Sequence, residues 1–241
     1  MISGFAYFEN RADGTSAKLE IGRFTNNRHT ALDTDVVIHE FVHGVTSRVI
    51  GGRNVHSPLP HQQSGALGEG FSDYYALSIL NYYRRRAGLT EEWAYGRWVT
   101  DRARGMRTAS YDNYPNTYGF LRKPRMKTHK AGEVWCAALL DLNRVLAAHA
   151  PGGPSTDAGD EIGWRLVFDS LSLLHPGNNG PTFLHARDAV HDAFDALVGK
   201  GAIPAEPTVK AAVRKVFRDR GMGADASSPN AKFRSVREEF Q

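Results

Sequence analysis

Beyond residue 30, the apolar positions of the chain recur at helical spacing, and segments containing glycine or proline separate the periodic stretches. The first predicted helix begins near residues 33–35, which offer N-cap residues and an acidic first turn, and it ends at Gly51 and Gly52. Five further helices are predicted at about 65–86, 130–149, 159–174, 181–198 and 206–220.

Two regions lack this helical period. The first 30 residues are predicted to be extended, with short strand-like runs at 5–8 and 18–21. Residues 87–128 are rich in Arg, Tyr, Pro and Asn, and an irregular stretch of that length in a compact domain indicates either poor packing or a functional role. The predicted fold class is therefore α+β and mainly α. Residues 1–52 are expected to hold the strands and the first helix, and residues 53–241 a helical second part.

Composition narrows the class of protein only slightly. The chain has 241 residues, 41% of them hydrophobic and 23% charged, so it can bury a core without disulfide bonds. Cys136 is the only cysteine, which excludes an internal disulfide and does not identify a compartment. No apolar run approaches the roughly 18 residues of a membrane span, and residues 1–5 do not open a signal peptide. Neither a membrane partner nor a leader is therefore expected.

The charge of the chain is mildly positive, with a formal net charge of +4 and a pI near 9.2. The one dense basic run extends from Arg84 to Arg86, after an apolar-periodic stretch and before Gly88. Cations at that position are typical of a helix C-terminus. A nucleic-acid patch is the weaker alternative, and no nucleic-acid partner is predicted.

The motif with chemical content is His39-Glu40-Phe41-Val42-His43. Residues four apart on a helix share one face, with Cβ atoms about 5–6 Å apart, so both imidazoles can reach one metal ion at about 2.0–2.1 Å. Glu40 lies one step round the helix, where it can act as a general base on a metal-bound water. The alternative is a hydrogen-bonded pair of core histidines, which does not require Glu40 between them.

A catalytic zinc ion takes three protein ligands and keeps a fourth position open for water. The next predicted helix supplies a candidate third ligand, Glu69, which lies 26 positions after His43. Asp73 lies one turn beyond Glu69 and is predicted to accept the second N–H of a ligand histidine; the alternative is a solvated acid. His56 and His61, in the intervening loop, are competing ligands, although loop histidines are more often solvated.

The segment HEFVHGVTSRVIGG at 39–52, together with GALGEGFSD at 65–73, resembles the fungalysin-type metallopeptidases. These are relatives of thermolysin among the zinc peptidases whose third ligand is a glutamate. The likeness continues in THKAGEVW at 128–135, PTFLHARDAV at 181–190 and RGMGADASS at 220–228. It covers nearly the whole chain in the order of the family, which a stray HExxH motif would not do.

The resemblance implies a thermolysin-like zincin catalytic domain, with an active-site cleft between a short N-terminal β part and a helical C-terminal part. Ala6 and Tyr7 resemble the edge strand on which such enzymes hold a substrate backbone by β-augmentation. His129 matches the histidine that stabilises the oxyanion, and Arg107 resembles the arginine that anchors a substrate carbonyl.

The resemblance also implies an extracellular location, although no signal peptide is predicted in this chain. The long propeptide and most of the N-terminal β domain expected of the family have no counterpart in the sequence. The tyrosine that thermolysin places in the loop before its glutamate ligand has none either, because Pro60 and His61 occupy that neighbourhood.

These observations predict a zinc-dependent endopeptidase that cleaves internal bonds of a protein or peptide substrate. One Zn²⁺ per chain is expected, held by His39, His43 and Glu69, with Glu40 as the general base. The alternative is a catalytically silent, zinc-containing module that binds a peptide or protein without cleaving it. Glu40 argues against that alternative, because a structural zinc ion has no need of a base and normally closes its fourth position with protein.

Overall fold

A computed structural model describes residues 6–53, 58–175 and 180–241. Two short strands, β1 (Ala6–Glu9) and β2 (Lys18–Ile21), pair in antiparallel fashion, with Ala6 opposite Ile21. In these ranges the chain also forms seven α-helices: α1 (Thr34–Gly51), α2 (Gln62–Arg86), α3 (Arg97–Thr100), α4 (Thr128–Ala148), α5 (Thr156–Leu171), α6 (Phe183–Gly199) and α7 (Pro207–Asp219). The predicted strand residue Phe5 and the loop histidine His56 lie outside the described residues.

The predicted fold class, α+β and mainly α with a short N-terminal β part, is confirmed. Two differences are the short helix α3, which the apolar period does not predict, and α5, which lies three residues earlier than its predicted range of 159–174. Helix α2 begins at Gln62 and not at 65, because His61 and Ser64 form a capping box in which the His61 backbone N–H donates to the Ser64 hydroxyl at 3.0 Å. Across the parts of the chain that the structure covers, no helix has both the length and the apolar character needed to cross a membrane.

The irregular segment between α2 and α4 is well packed, so the expectation of poor packing there is wrong. Its tyrosines Tyr95, Tyr111 and Tyr118 are each at most 2% exposed and belong to the main core. Its charged end is also ordered, since Arg85 near the C-terminus of α2 lies 2.6 Å from Glu91. The burial of these tyrosines therefore holds the segment against the helices, although its sequence has no helical periodicity.

Helix α4 lies at the centre of the core and packs against α2, α5 and α7. At its crossing with α2, the two backbones approach closely through a pair of glycines. A Cβ atom on Gly70 would lie 2.7 Å from the Gly132 carbonyl oxygen, and one on Gly132 would lie 2.6 Å from the Ala66 carbonyl oxygen. Because no side chain intervenes, the first turn of α4 is held beside the middle of α2.

We expect Gly132→Ala to lower the free energy of unfolding by about 1–3 kcal/mol, because the added methyl group overlaps backbone that cannot move without separating the two helices. Gly199→Ala is the matched control: it lies at the end of α6, and an added Cβ meets nothing within 4 Å. That control is expected to be neutral or slightly stabilising. Urea unfolding followed by circular dichroism measures both, and equal stability of the two variants would contradict the close crossing.

Candidate active site

A cleft of about 570 Å³ separates β1 from the helices. Its walls come from five parts of the chain, and among the lining residues are Ala6 and Tyr7 of β1, His39, Glu40 and His43 of α1, Gly68 and Glu69 of α2, Tyr95, Met106 and Arg107 of the irregular segment, and His129 of α4. All the residues predicted to act in catalysis, substrate binding or metal binding therefore line this cleft. Asp73 lies behind it and is 1% exposed.

His39 and His43 occupy one face of α1, as their spacing requires, and their Nε2 atoms are 3.1 Å apart. The Glu69 carboxylate of α2 completes a triangle with them. Its Oε2 is 3.3 Å from His39 Nε2, and its Oε1 is 3.7 Å from His43 Nε2. The three groups offer one ligand atom each within 4.8 Å of one another.

This donor set fits a metal ion. Glu69 Oε2 is a buried atom that accepts no hydrogen bond within the described part of the chain. An unsatisfied buried carboxylate oxygen is costly, and a cation between the three side chains would satisfy it. Two imidazoles and one carboxylate, with further space on the cleft side, are typical of a catalytic zinc site. The three side chains at the floor of the cleft could therefore hold a metal ion.

The second ring nitrogen of each histidine has its own partner on α2. His39 Nδ1 lies 2.8 Å from Asp73 Oδ1, and His43 Nδ1 lies 3.3 Å from Ser72 Oγ. An ionised carboxylate only accepts hydrogen bonds, so the Nδ1 atom of His39 must be the donor. Such partners fix the orientation of a metal-binding imidazole.

The charges around the site favour a cation. Burial alone would lower the pKa of His39, but the neighbouring Asp73 and Glu69 carboxylates raise it to about 9. Burial alone would raise the pKa of Glu69, but the neighbouring His39 lowers it to about 2. The carboxylates thus remain ionised and attract positive charge at the point where the two Nε2 atoms meet.

Glu40 follows the first histidine on α1 and lines the cleft without belonging to the donor set. Its side chain is largely enclosed, with only 8% of the residue exposed. This burial raises the pKa of the Glu40 carboxyl above its ordinary value. A carboxylate with a raised pKa beside a metal centre is well placed to accept and return a proton.

Arg107 forms a buried ion pair with Asp73. Its Nε donates to Asp73 Oδ2 and its Nη2 to Asp73 Oδ1, both at 2.6 Å. The Tyr111 hydroxyl donates to the same Oδ2 at 2.6 Å, and the guanidinium lies 4.3 Å from the centre of the Tyr95 ring. Asp73 therefore joins His39 of the candidate donor set to Arg107 through one fully paired carboxylate.

The rims of the cleft carry His129 on the helical side and β1 on the other side. His129 opens α4, its side chain is 60% exposed, and its Nε2 lies 3.4 Å from Glu69 Oε2. On the β1 side, the Phe8 ring packs over Gly44 of α1, where an added Cβ would lie 2.5 Å from the ring. The close approach of Phe8 keeps Ala6 and Tyr7 beside the helix that carries the two histidines.

Three residues of the site were not predicted from the sequence: Ser72, Tyr95 and Tyr111. Ser72 directly precedes Asp73 on α2. This position next to a predicted site residue was the sequence signal that could have identified it. Tyr95 and Tyr111 lie in the irregular segment, where no periodicity indicates which side chains turn inward. The competing loop histidine His61 is absent from the metal-type donor group that the structure brings together; it caps α2.

Comparison with known proteins agrees with this geometry. The probable extracellular metalloproteinase 3 of Trichophyton verrucosum is 30% identical over 236 residues, and the extracellular metalloproteinase 2 of Arthroderma otae is 32% identical over 239 residues. These alignments cover 92% and 91% of this chain but only 35% of each relative. The chain therefore spans about a third of the length of these curated relatives.

The family pattern also matches most of the chain. It covers residues 3–226, which include every metal-type donor, Glu40, Asp73, Arg107 and His129. On this match the chain belongs to the fungalysin metallopeptidase family.

Proposed function

We propose that this chain is a zinc-dependent endopeptidase that hydrolyses internal bonds of extended protein substrates. One observation carries the proposal: His39, His43 and Glu69 converge within 4.8 Å at the floor of an open cleft, with Glu40 beside them. When bound there, zinc supplies Lewis-acid chemistry, lowering the pKa of water and polarising a carbonyl group. Family membership supports a peptidase, and the two-histidine, one-carboxylate donor set supports zinc as the metal.

In the proposed reaction, Glu40 takes a proton from the attacking water and later delivers it to the leaving amine. The raised pKa of the Glu40 carboxyl suits the first step, because a more basic carboxylate accepts a proton more readily, and the carboxylic acid that forms can still donate it in the second step. His129 donates a hydrogen bond to the carbonyl oxygen as negative charge develops on it. Asp73 and Ser72 keep the two imidazoles in place, and the enclosed position of Glu40 excludes bulk water from its carboxylate.

The substrate is proposed to lie along β1. That strand pairs with β2 on one side, and Ala6 and Tyr7 line the cleft, so an extended peptide can add to it as a further strand. Arg107 faces the same space and is proposed to hold a substrate carbonyl. Two of its donors are already engaged by Asp73, which leaves the remaining N–H groups for that contact.

A cleavage assay separates this function from a silent binding module. The metal content of the purified chain is measured, and casein digestion is followed with and without a chelator. We expect about one zinc ion per chain and digestion that stops on chelation and returns with added zinc. Bound zinc with intact casein under all conditions would instead favour the binding module.

Secretion is also proposed. The relatives from Trichophyton verrucosum and Arthroderma otae are named extracellular metalloproteinases. A fungal expression experiment with the complete gene tests the proposal, and recovery of the protein in the culture medium is the expected result.

We expect His129→Ala to lower kcat and kcat/KM together by a factor of about 10²–10³. KM and zinc content should stay nearly unchanged. That pattern is typical of an interaction made only in the transition state. The exposed His175→Ala, outside the cleft, is the control and should leave all three quantities unchanged. Steady-state kinetics on a short fluorogenic peptide measure the effect, and an unchanged kcat in His129→Ala would remove the residue from the mechanism.

A further inference from the structure

A second cavity, of about 750 Å³, lies between the 3₁₀ turn Tyr118–Arg122 and the C-terminal segment. We call it the basic pocket. It is lined by Arg122, Ser227, Ser228, Pro229, Arg234, Ser235, Val236 and Arg237. It shares no lining residue with the active-site cleft.

The three arginines of the basic pocket carry uncompensated charge. In the described ranges none of them has an ion-pair partner, and no carboxylate lines the cavity. The nearest acid in the sequence, Glu238, is occupied elsewhere: it accepts hydrogen bonds from the Thr117 hydroxyl at 3.2 Å and from the Gly119 backbone. The pocket therefore presents three guanidinium groups to solvent without a neutralising partner.

The same two segments carry further cations. Lys123, Arg125 and Lys127 follow the 3₁₀ turn, and Lys232 precedes Arg234, and none of these four has an ion-pair partner among the residues that the structure covers. Of the 18 arginines elsewhere in the described ranges, ten have such a partner, for example Arg85 with Asp160 and Arg220 with Asp141. The basic pocket differs from the eight that lack one because three unpaired guanidinium groups line a single cavity.

The wall of the basic pocket is fixed by the protein itself. The Ser228 and Ser235 hydroxyls lie 3.1 Å apart and both donate to the Asn230 carbonyl oxygen, at 2.8 and 2.9 Å. Gln63 in the first turn of α2 anchors this wall, because its Nε2 donates to Ser228 Oγ at 2.8 Å. The backbone that carries Arg234 and Arg237 is therefore part of an ordered frame.

The chemistry of the basic pocket favours an acidic peptide. Guanidinium groups recognise carboxylates through paired hydrogen bonds, and a cavity in the range of about 300–1,000 Å³ takes a ligand of several groups rather than one small ion. No aromatic side chain lines the pocket. Single-stranded nucleic acids normally stack their bases on such side chains, so a carboxylate-rich peptide is the better match.

The basic pocket is also connected to the cleft. The first turn of α2 holds the pocket wall through Gln63, and Glu69 follows on the same helix. From Gln62 to Glu69 the helix rises roughly 10 Å at 1.5 Å per residue. An extended chain covers about 3.3 Å per residue. The pocket wall and Glu69 are therefore held about two helical turns apart on one helix, an axial separation that about three extended residues span.

We propose that the basic pocket is an exosite, where an acidic segment of the protein substrate binds while a bond several residues away is cleaved. The proposal rests on the proposed peptidase function and adds a substrate class to it, namely proteins with clustered Asp and Glu near the cleaved bond. The pocket acts on affinity alone, because none of its residues faces the cleft.

The test compares peptides that share one cleavable fluorogenic sequence. A flexible linker of about 4–8 residues joins it, on either side, to a tail of four Asp residues or to a matched tail of four Asn residues. The zinc-loaded chain is compared with Arg234→Gln/Arg237→Gln and with Arg214→Gln, which removes an exposed cation from α7 outside the pocket. For the unaltered chain we expect the Asp tail on one side to lower KM by about three- to tenfold at low salt, with kcat unchanged.

In the double variant this advantage should disappear while cleavage of the Asn-tailed peptide stays normal, and Arg214→Gln should retain it. Equal KM values for both tails on both sides would overturn the exosite and leave the peptidase function standing. An advantage that persists in the double variant would overturn it as well.

If the zinc-loaded chain cleaves none of the peptides, the peptidase function fails and the basic pocket is tested by binding. The fluorescence anisotropy of the labelled Asp tail is then measured with the same three proteins. Binding that the double variant loses supports the pocket as an acidic-peptide site. Absence of binding, or binding only of a labelled oligonucleotide, overturns it.

Discussion

Glu40→Gln is expected to retain its zinc ion, while its kcat falls by a factor of about 10²–10⁴. That factor is the usual contribution of a positioned general base. The substitution is nearly isosteric, so the enclosed site around residue 40 keeps its shape. The amide can neither take a proton from water nor deliver one to the leaving amine. Since residue 40 is outside the donor set of His39, His43 and Glu69, metal content should not fall.

Glu69→Ala is the contrasting variant, because it removes a donor and leaves the proposed base intact. It should lose most of its zinc, and its activity should recover in part at high zinc concentration. Zinc content by elemental analysis and turnover of a fluorogenic peptide distinguish the two variants. Full turnover in Glu40→Gln would refute the proposed mechanism, and full zinc occupancy in Glu69→Ala would refute the ligand set.

The helices and the donor set could be predicted because each depends on local spacing. The period of α1 puts His39 and His43 on one face whatever the rest of the fold does. Glu69 could be predicted for a similar reason, since a loop of ordinary length between the two helices allows α2 to pack beside α1. The roles of His129 and Arg107 came only from the family resemblance, because no spacing rule connects them to Glu69 and Asp73, which lie at least 34 positions earlier in the chain.

The arrangement of the irregular segment could not be predicted from the sequence. The ion pair between Arg107 and Asp73, and the Tyr111 hydroxyl that joins it, depend on how that segment folds over α2 and α4. Thr108 shows the reason: its backbone N–H donates to the buried Glu133 carboxylate of α4 at 3.0 Å, a tertiary contact with no local signature. The basic pocket could not be predicted for the same reason, because its arginines come from segments more than 100 positions apart.

Asp73→Ala is expected to have the second large effect, on stability and on metal affinity together. The carboxylate is 1% exposed, and it accepts hydrogen bonds from His39, twice from Arg107, and from Tyr111. Burial alone would raise the pKa of Asp73, but the Arg107 guanidinium and His39 hold it well below its usual range. Its loss leaves Arg107 charged at 5% exposure, with Glu69 Oε2 at 4.0 Å as its remaining acidic neighbour. Breaking a buried ion pair in this way costs about 3–5 kcal/mol. Zinc affinity should fall about 10–100-fold, because His39 loses its orienting partner.

A second variant separates the two effects. In Asp73→Leu/Arg107→Met both charges are replaced by apolar groups of similar size, so no buried charge is left unpaired, and such replacements of a buried pair are often close to neutral. We expect this double variant to regain most of the free energy of unfolding that Asp73→Ala loses, measured in urea on the zinc-free proteins. Zinc affinity, measured by competition with a chelator, should stay low because His39 still lacks an acceptor. If the double variant is no more stable than Asp73→Ala, the cost lies in the lost hydrogen bonds of His39 and Tyr111 and not in the unpaired guanidinium. Zinc affinity at the level of the unaltered chain would show that Asp73 does not orient the metal-binding histidine.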